Sequence, residues 1–215
     1  MQKRELIVKN FQTPQDFEKT FAKMQLFTKK RTTEQDEIWL LEHPHVYTQG
    51  LAGKNEHILQ VLPYPLVKTD RGGQVTFHGP GQIMCYLLLD LKRAKLSIID
   101  LVDNIEKVVI TVLKSVGIPA AADKELGRGI YVDKKKIASI GIKVKKYCSY
   151  HGFALNFDCD LEPFSLINPC GCKNLEMTNI LKLQNSFTAE QIRTKIIEQC
   201  YGIFNYDQIK KISLG

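Results

Sequence analysis

The chain reads as an α+β protein, a largely antiparallel mixed sheet flanked by helices. Two observations predict this. Strand-like runs follow one another across short turns containing Gly, Pro or Asp, so the order is mixed and not a βαβαβ alternation. Helical periodicity is confined to a few segments that can cover such a sheet. With 215 residues, 44% of them hydrophobic and 25% charged, the composition is that of a soluble globular chain. No linker, internal repeat or low-complexity tract divides it, and residues 1–215 are expected to form one domain.

"ELIVKNF" (5–11) opens the chain as a strand. Thr13-Pro14 then offers a helix start, and Phe17, Phe21, Met24 and Phe27 form the stripe of a helix that buries aromatic side chains. "EIWLLEH" (37–43) and "PLVKTD" (65–70) read as strands, and "GQVTFHGPGQIMCYLLLDL" (73–91) as two strands broken at Gly79-Pro80-Gly81. Apolar residues from Ile98 to Val116 mark the clearest helix, between Ser97 and Gly117. "GIYVDKKKIASIGIKV" (129–144) fits a hairpin around Asp133-Lys134-Lys135, and "SYHGFALNFD" (149–158) is a further strand. Thr178 is expected to cap a short helix, and Thr188, with Glu190 or Gln191 behind it, a longer one.

No apolar run approaches the length of a membrane span. The N-terminal residues lack the pattern of a secretory signal or transit peptide, so the expected location is the cytoplasm and the six cysteines are expected to be reduced. Thirty basic against 23 acidic side chains leave a net charge of +7, which serves either solubility or an acidic partner. Zinc-finger spacing, RNP-like segments and long basic helices are missing, which argues against nucleic acid.

Three segments hold residues suited to chemistry. In "FSLINPCGCKNLEMTN" (164–179), Pro169 and Gly171 fix the backbone on either side of Cys170. Cys170 and Cys172 are spaced too closely for a zinc ribbon, and geometry and compartment disfavour a disulfide between them. A buried thiol or a nucleophile remains, and a nucleophile needs a cation or base nearby. "DRGGQVTFHGPGQ" (70–82) joins the planar donors of Arg71 to exposed glycine backbone and His78. It is neither a P-loop nor a dinucleotide fingerprint, and it reads as a glycine-rich bend or a binding loop. In "KKKIASIGIKV" (134–144), Lys134 and Lys135 belong to a solvated tip. Strand alternation puts Lys136 on one face with Ala138 and Ile140, where a shielded lysine can act as a base.

Together "DRGGQVTFHGPGQ", "KKIASIGIKVKKYCSYHGFALN" and "INPCGCKNLEMTN" closely resemble the lipoyl(octanoyl) transferases. "EHPHVYTQG" (42–50) resembles that family's early loop, so the likeness runs from about Leu41 to Ile180. The resemblance implies a biotin/lipoate protein ligase fold. It also implies transfer of an octanoyl group from octanoyl-acyl carrier protein to the target lysine of apo lipoyl domains, without metal, nucleotide or other cofactor. The acceptors would be 2-oxoacid dehydrogenase E2 subunits and the glycine cleavage H protein. Lipoate and biotin ligases carry different Arg/Gly loops that serve an adenylate, whereas this loop reads Arg71-Gly72-Gly73-Gln74 and ends His78-Gly79-Pro80.

The family's Cys/Lys dyad maps onto Cys170, in Pro169-Cys170-Gly171, and Lys136, which opens the Lys-Ile-Ala-x-Ile-Gly strand. Cys172 stands where the family more often has an aliphatic residue and is expected to be a bystander. Three segments would line the acyl pocket and thioester oxygen: Arg71, Gly72, Gly73, Gln74, Val75, Thr76, Phe77 and His78; Ser139, Ile140 and Gly141; and Gly152, Phe153 and Ala154. His151 would orient a partner or satisfy a core hydrogen bond. The positive charge would steer acidic carrier proteins and lipoyl domains to one mouth.

Overall fold

The computed structural model describes residues 3–31, 35–123 and 125–215. The chain runs β1 (Glu5–Phe11), α1 (Phe17–Lys30), β2 (Asp36–Leu41), β3 (Val46–Gln49), β4 (Leu66–Lys68), β5 (Val75–His78) and β6 (Gln82–Leu88). It continues through α2 (Leu91–Ala94), α3 (Ile98–Lys114), β7 (Ala121–Ala122), β8 (Gly129–Val132), β9 (Lys135–Lys145) and β10 (Cys148–Asn156). The last elements are α4 (Ile180–Leu183), α5 (Ala189–Ile203) and β11 (Gln208–Leu214).

Eight strands form the main sheet in the order β11-β1-β2-β6-β10-β9-β8-β7, parallel from β11 to β2 and antiparallel beyond. A small second sheet runs β4-β3-β5. Each face of the main sheet has its own core. Leu40, Ile83, Leu87 and Leu155 meet Leu101, Ile105 and Val108 of α3 and Ile192 and Ile196 of α5. On the other face Trp39, Leu41, Met84, Tyr86 and Ala154 meet Met24 of α1. Alternation along β2, β6 and β10 thus sends successive side chains to opposite cores. Among the described residues no helix is long and apolar enough to cross a membrane.

Most expected elements are present, with shifted ends. Thr13-Pro14 does not start α1: the cap is Asp16, whose carboxylate accepts the Lys19 N–H at 2.8 Å. Nor does Thr178 cap α4. Asn179 does, through the Lys182 N–H at 2.9 Å, while Thr178 is buried and its N–H donates to the Lys136 carbonyl. Thr188 and Gln191 form a reciprocal capping box on α5, as Ser97 and Asp100 do on α3. Three strands were not foreseen: β3, inside the segment read as a loop, the two-residue β7, which pairs with β8, and β11, which adds a parallel edge beside β1.

One irregularity positions the site. Asp133 and Lys134, both with positive φ, form the tight turn between β8 and β9. Further along, Tyr131 pairs with Lys136 but Ile130 pairs with Ala138, which leaves Ile137 as an extra residue. Ile130, Ile137 and Ala138 join the core under α3, whereas Tyr131 and Lys136 do not. The expectation that Lys136 shares a face with Ala138 and Ile140 is therefore corrected, because the bulge turns its side chain the other way.

Candidate active site

Cys170 lies in a single 3₁₀ turn, Pro169–Gly171, with φ 59° and ψ 13°, a left-handed conformation rare for a residue with a side chain. The loop around it is tied on both sides. Ile167 bridges to Ile58, and the Asn168 N–H donates to the His57 carbonyl at 2.8 Å. Met177 bridges to Lys136, whose N–H donates to the Glu176 carbonyl at 2.8 Å. The strand bearing the lysine and the loop bearing the thiol are thus fastened together.

Lys136 is fully buried. Its Nζ lies 2.6 Å from Cys170 Sγ, donates to the Arg128 carbonyl at 2.7 Å and sits 5.4 Å from the centre of the Tyr131 ring. A buried ammonium is tolerated only when such partners replace its hydration. All six thiols are free, and Cys172 points elsewhere, donating to the Leu126 carbonyl at 3.3 Å.

Cys170 stands in the wall of a pocket of roughly 500 Å³, mouth included, and largely apolar. From the first expected segment, Arg71, Gly73, Gln74, Val75, Thr76 and His78 line it; Ser139, Ile140 and Gly141 line it from β9, and Gly152, Phe153 and Ala154 from β10. Two expected members do not. Phe77 alternates away into a cluster with Tyr47 and Phe164, and Gly72 spends its N–H on the Ile142 carbonyl at 3.0 Å. Phe17, Met84, Tyr86 and His151 complete the wall. Phe17 was legible only as one member of the α1 aromatic stripe, and Met84 and Tyr86 only as alternating residues of a core strand.

The polar groups behind the pocket form one directed chain. Arg71 Nη2 donates to Thr48 Oγ1 at 2.8 Å, and Thr48 Oγ1 meets His78 Nε2 at 3.1 Å. His78 Nδ1 meets Gln82 Oε1 at 2.7 Å, Gln82 Nε2 donates to Asn156 Oδ1 at 2.8 Å, and Asn156 Nδ2 donates to the Thr178 carbonyl at 3.0 Å. Thr178 N–H ends the chain on the Lys136 carbonyl at 2.9 Å. Every link is satisfied if His78 is neutral with its proton on Nδ1. Burial, reinforced by the charge at His43, pushes the His78 pKa down to about 3, so the ring stays neutral. Burial also lowers Arg71 to about 10, partly opposed by the negative charge available at Cys170, which leaves the guanidinium charged at neutral pH.

His151, with φ 59°, packs its ring between Phe21 and Tyr150 and sets Nε2 3.0 Å from Asp70 Oδ1. Burial alone would raise the Asp70 pKa, but hydrogen bonds from His151, Tyr150 and Gln25 outweigh it and hold the carboxyl at about 2. His151 thus satisfies a hydrogen bond and anchors the residue preceding Arg71. Among the described residues no cluster of three or more His, Cys, Asp or Glu side chains is placed to hold a metal ion.

Residues 16–201 match the family model of the lipoyl protein ligase A/B catalytic domain. An octanoyltransferase of Coxiella burnetii is 54% identical over 186 residues, which cover 86% of this chain and 76% of that one. Another, from Chromobacterium violaceum, is 49% identical over 183 residues, covering 85% and 88%. The chain belongs to the octanoyltransferase family. A solved bipartite lipoate protein ligase from Thermoplasma acidophilum superposes with a TM-score of 0.74 at 14% identity, covering 100% of this chain and 88% of that one. The octanoyltransferase therefore shares the lipoate-ligase architecture, as the sequence resemblance implied, and it is an acyl-transfer enzyme of protein lipoylation. Gly127 and Gly129 lie against Cys170 and Lys136, and the Arg128 carbonyl accepts from Lys136 Nζ, a segment that the motifs did not include; the local signal was Gly-Arg-Gly before a strand.

Proposed function

We propose that this octanoyltransferase works through a Cys170 acyl-enzyme, with Lys136 as the group that gives and takes the proton. The observation that carries the reading is the 2.6 Å contact between Nζ and Sγ in the wall of an apolar pocket. In the resting state an ammonium faces a thiolate. The thiolate attacks the thioester carbonyl of the donor, forming a new C–S bond; the old C–S bond breaks, and Lys136 protonates the departing thiol. Lys136 is then neutral. The amine of a target lysine attacks the Cys170 thioester, passes a proton to Lys136 and forms the amide as the Cys170 thiolate leaves. The ion pair is regenerated with every atom accounted for, and since thioester exchange is nearly isoenergetic and amide formation downhill, the cycle needs neither ATP nor metal.

The pocket walls of Phe17, Val75, Met84, Ile140 and Phe153 suit a saturated acyl chain, and the Arg71 guanidinium, which lines the same pocket, supplies a second positive charge that favours the tetrahedral oxyanion. The donor is octanoyl-acyl carrier protein. The acceptors are apo lipoyl domains of 2-oxoacid dehydrogenase E2 subunits and the glycine cleavage H protein, a reading supported by the Thermoplasma ligase, which was described with its E2 lipoyl domain. The whole chain acts as one catalytic domain, and its work lies in the cytoplasm.

Intact-protein mass spectrometry after mixing with octanoyl-acyl carrier protein, without ATP, tests this. An octanoyl adduct is expected in the wild type and in Cys172→Ser, is lost in Cys170→Ser, and passes to an apo lipoyl domain. Octanoylation that needs free octanoate and ATP, and survives Cys170→Ser, would assign the chain to the ligases.

A further inference from the structure

Tyr131, 4% exposed, lies directly across from Lys136 at the β8–β9 bulge. Its hydroxyl is 2.6 Å from the Leu126 carbonyl and 2.8 Å from the Gly127 carbonyl. One phenolic proton is thereby shared by two consecutive acceptors, and the next carbonyl along, that of Arg128, receives Lys136 Nζ. The Cys172 thiol donates to the same Leu126 carbonyl, so phenol and thiol grip one segment from two sides. Burial, then the negative charges at Cys170, Cys172 and Asp123, push the Tyr131 pKa upward, and the phenol keeps its proton.

We propose that Tyr131 is a positioning residue for acyl transfer: its hydroxyl fixes the 126–128 carbonyl segment, and that segment aims Lys136 at Cys170. The inference rests on the dyad reading above. Its mechanical content concerns both states of Lys136: the same carbonyl holds the ammonium against the Cys170 thiolate at rest and orients the neutral amine later in the cycle. A neutral amine has two donors and one lone pair, and a hydrogen bond held by the Arg128 carbonyl limits where that lone pair can point. If the segment swings, the lone pair leaves the line to the incoming amine. Tyr131 is not among the residues that line the pocket, and it meets Lys136 both through this segment and through its ring, 5.4 Å from Nζ.

The test compares wild type, Tyr131→Phe and Lys136→Met. Alkylation of Cys170 by iodoacetamide is followed by peptide mass spectrometry across pH, and transfer is followed with octanoyl-acyl carrier protein. Tyr131→Phe keeps the ring and removes the proton. It is expected to move the midpoint of Cys170 alkylation in the same direction as Lys136→Met, by less. It should also lower kcat about fivefold, the loss of one ordinary hydrogen bond, with KM for the carrier protein unchanged. A shift in Lys136→Met with no shift in Tyr131→Phe would overturn the proposal and leave the dyad standing. A lower rate with an unchanged midpoint would reduce Tyr131 to a support of the fold and also overturn it. No shift in Lys136→Met would remove the dyad itself, and this inference with it.

Discussion

A methyl group at Gly129 would sit 2.3 Å from Lys136 Cε and 2.8 Å from Nζ. Lys136 cannot retreat without giving up Cys170 or the Arg128 carbonyl, so the absence of a side chain at this residue sets where the ammonium rests. Gly129→Ala is therefore expected to cost about 100-fold in kcat, the scale of a catalytic group displaced by an ångström. Carrier-protein binding should persist, and steady-state kinetics beside a binding titration would separate the two. At this scale the sequence was partly legible. Cys170 and Lys136 sit inside long motifs with recognisable order, whereas Gly129 belongs to a Gly-Arg-Gly whose meaning depends on a bulge elsewhere in the strand. His78 and His151 were ambiguous for a similar reason: their roles are fixed by Gln82 and Asp70, contacts that no spacing rule reveals.

Among elements, β9 and the loop from Ile167 to Met177 act as a unit, because the Lys136–Met177 bridge and the Thr178 N–H bond join them directly. Helix α3 serves the opposite face of the sheet. Removing its cap with Ser97→Ala should cost about 1 kcal/mol and lower Tm by about 2–4 °C, while leaving the transfer rate unchanged. A thermal melt and a rate assay on the same preparation check this. Asn179→Ala, two residues beyond the Cys170 loop, removes a comparable cap together with the 3.2 Å bond from Asn179 Nδ2 to the Cys159 carbonyl, and should reduce the rate as well as Tm. The hairpin, the long amphipathic helix and the core strands were readable because each carries its own local period or turn. β11 was not: a parallel edge strand has no hairpin turn, and its Lys210-Lys211 doublet hides the alternation. β3 escaped because four residues, buried throughout, show no period.

At the scale of the whole molecule, the +7 charge predicts that added salt raises KM for an acidic carrier protein more than for a small octanoyl thioester, a difference that paired kinetic titrations would reveal. The buried histidines make a second prediction, with a definite sign. Burial lowers His43 to about 4 and His78 to about 3, and it lowers His151 against the pull of Asp70. In the unfolded chain all three return to about 6.5. The native state thus holds fewer protons than the unfolded one below about pH 6.5, so stability is fully present above that value and declines as pH falls toward about 3, the His78 value. For His43 alone the interval corresponds to a contribution on the order of 3 kcal/mol, a large part of the roughly 5–15 kcal/mol of a typical domain. Denaturant titrations at closely spaced pH values should give a slope near pH 5 equivalent to about two protons taken up on unfolding, from His43 and His78, with His151 adding to it in the same direction. A slope near zero would mean that these imidazoles are charged in the native state. The directed chain from Arg71 through His78 to Lys136 would then have to run with a different proton on His78, because a doubly protonated ring cannot accept from Thr48.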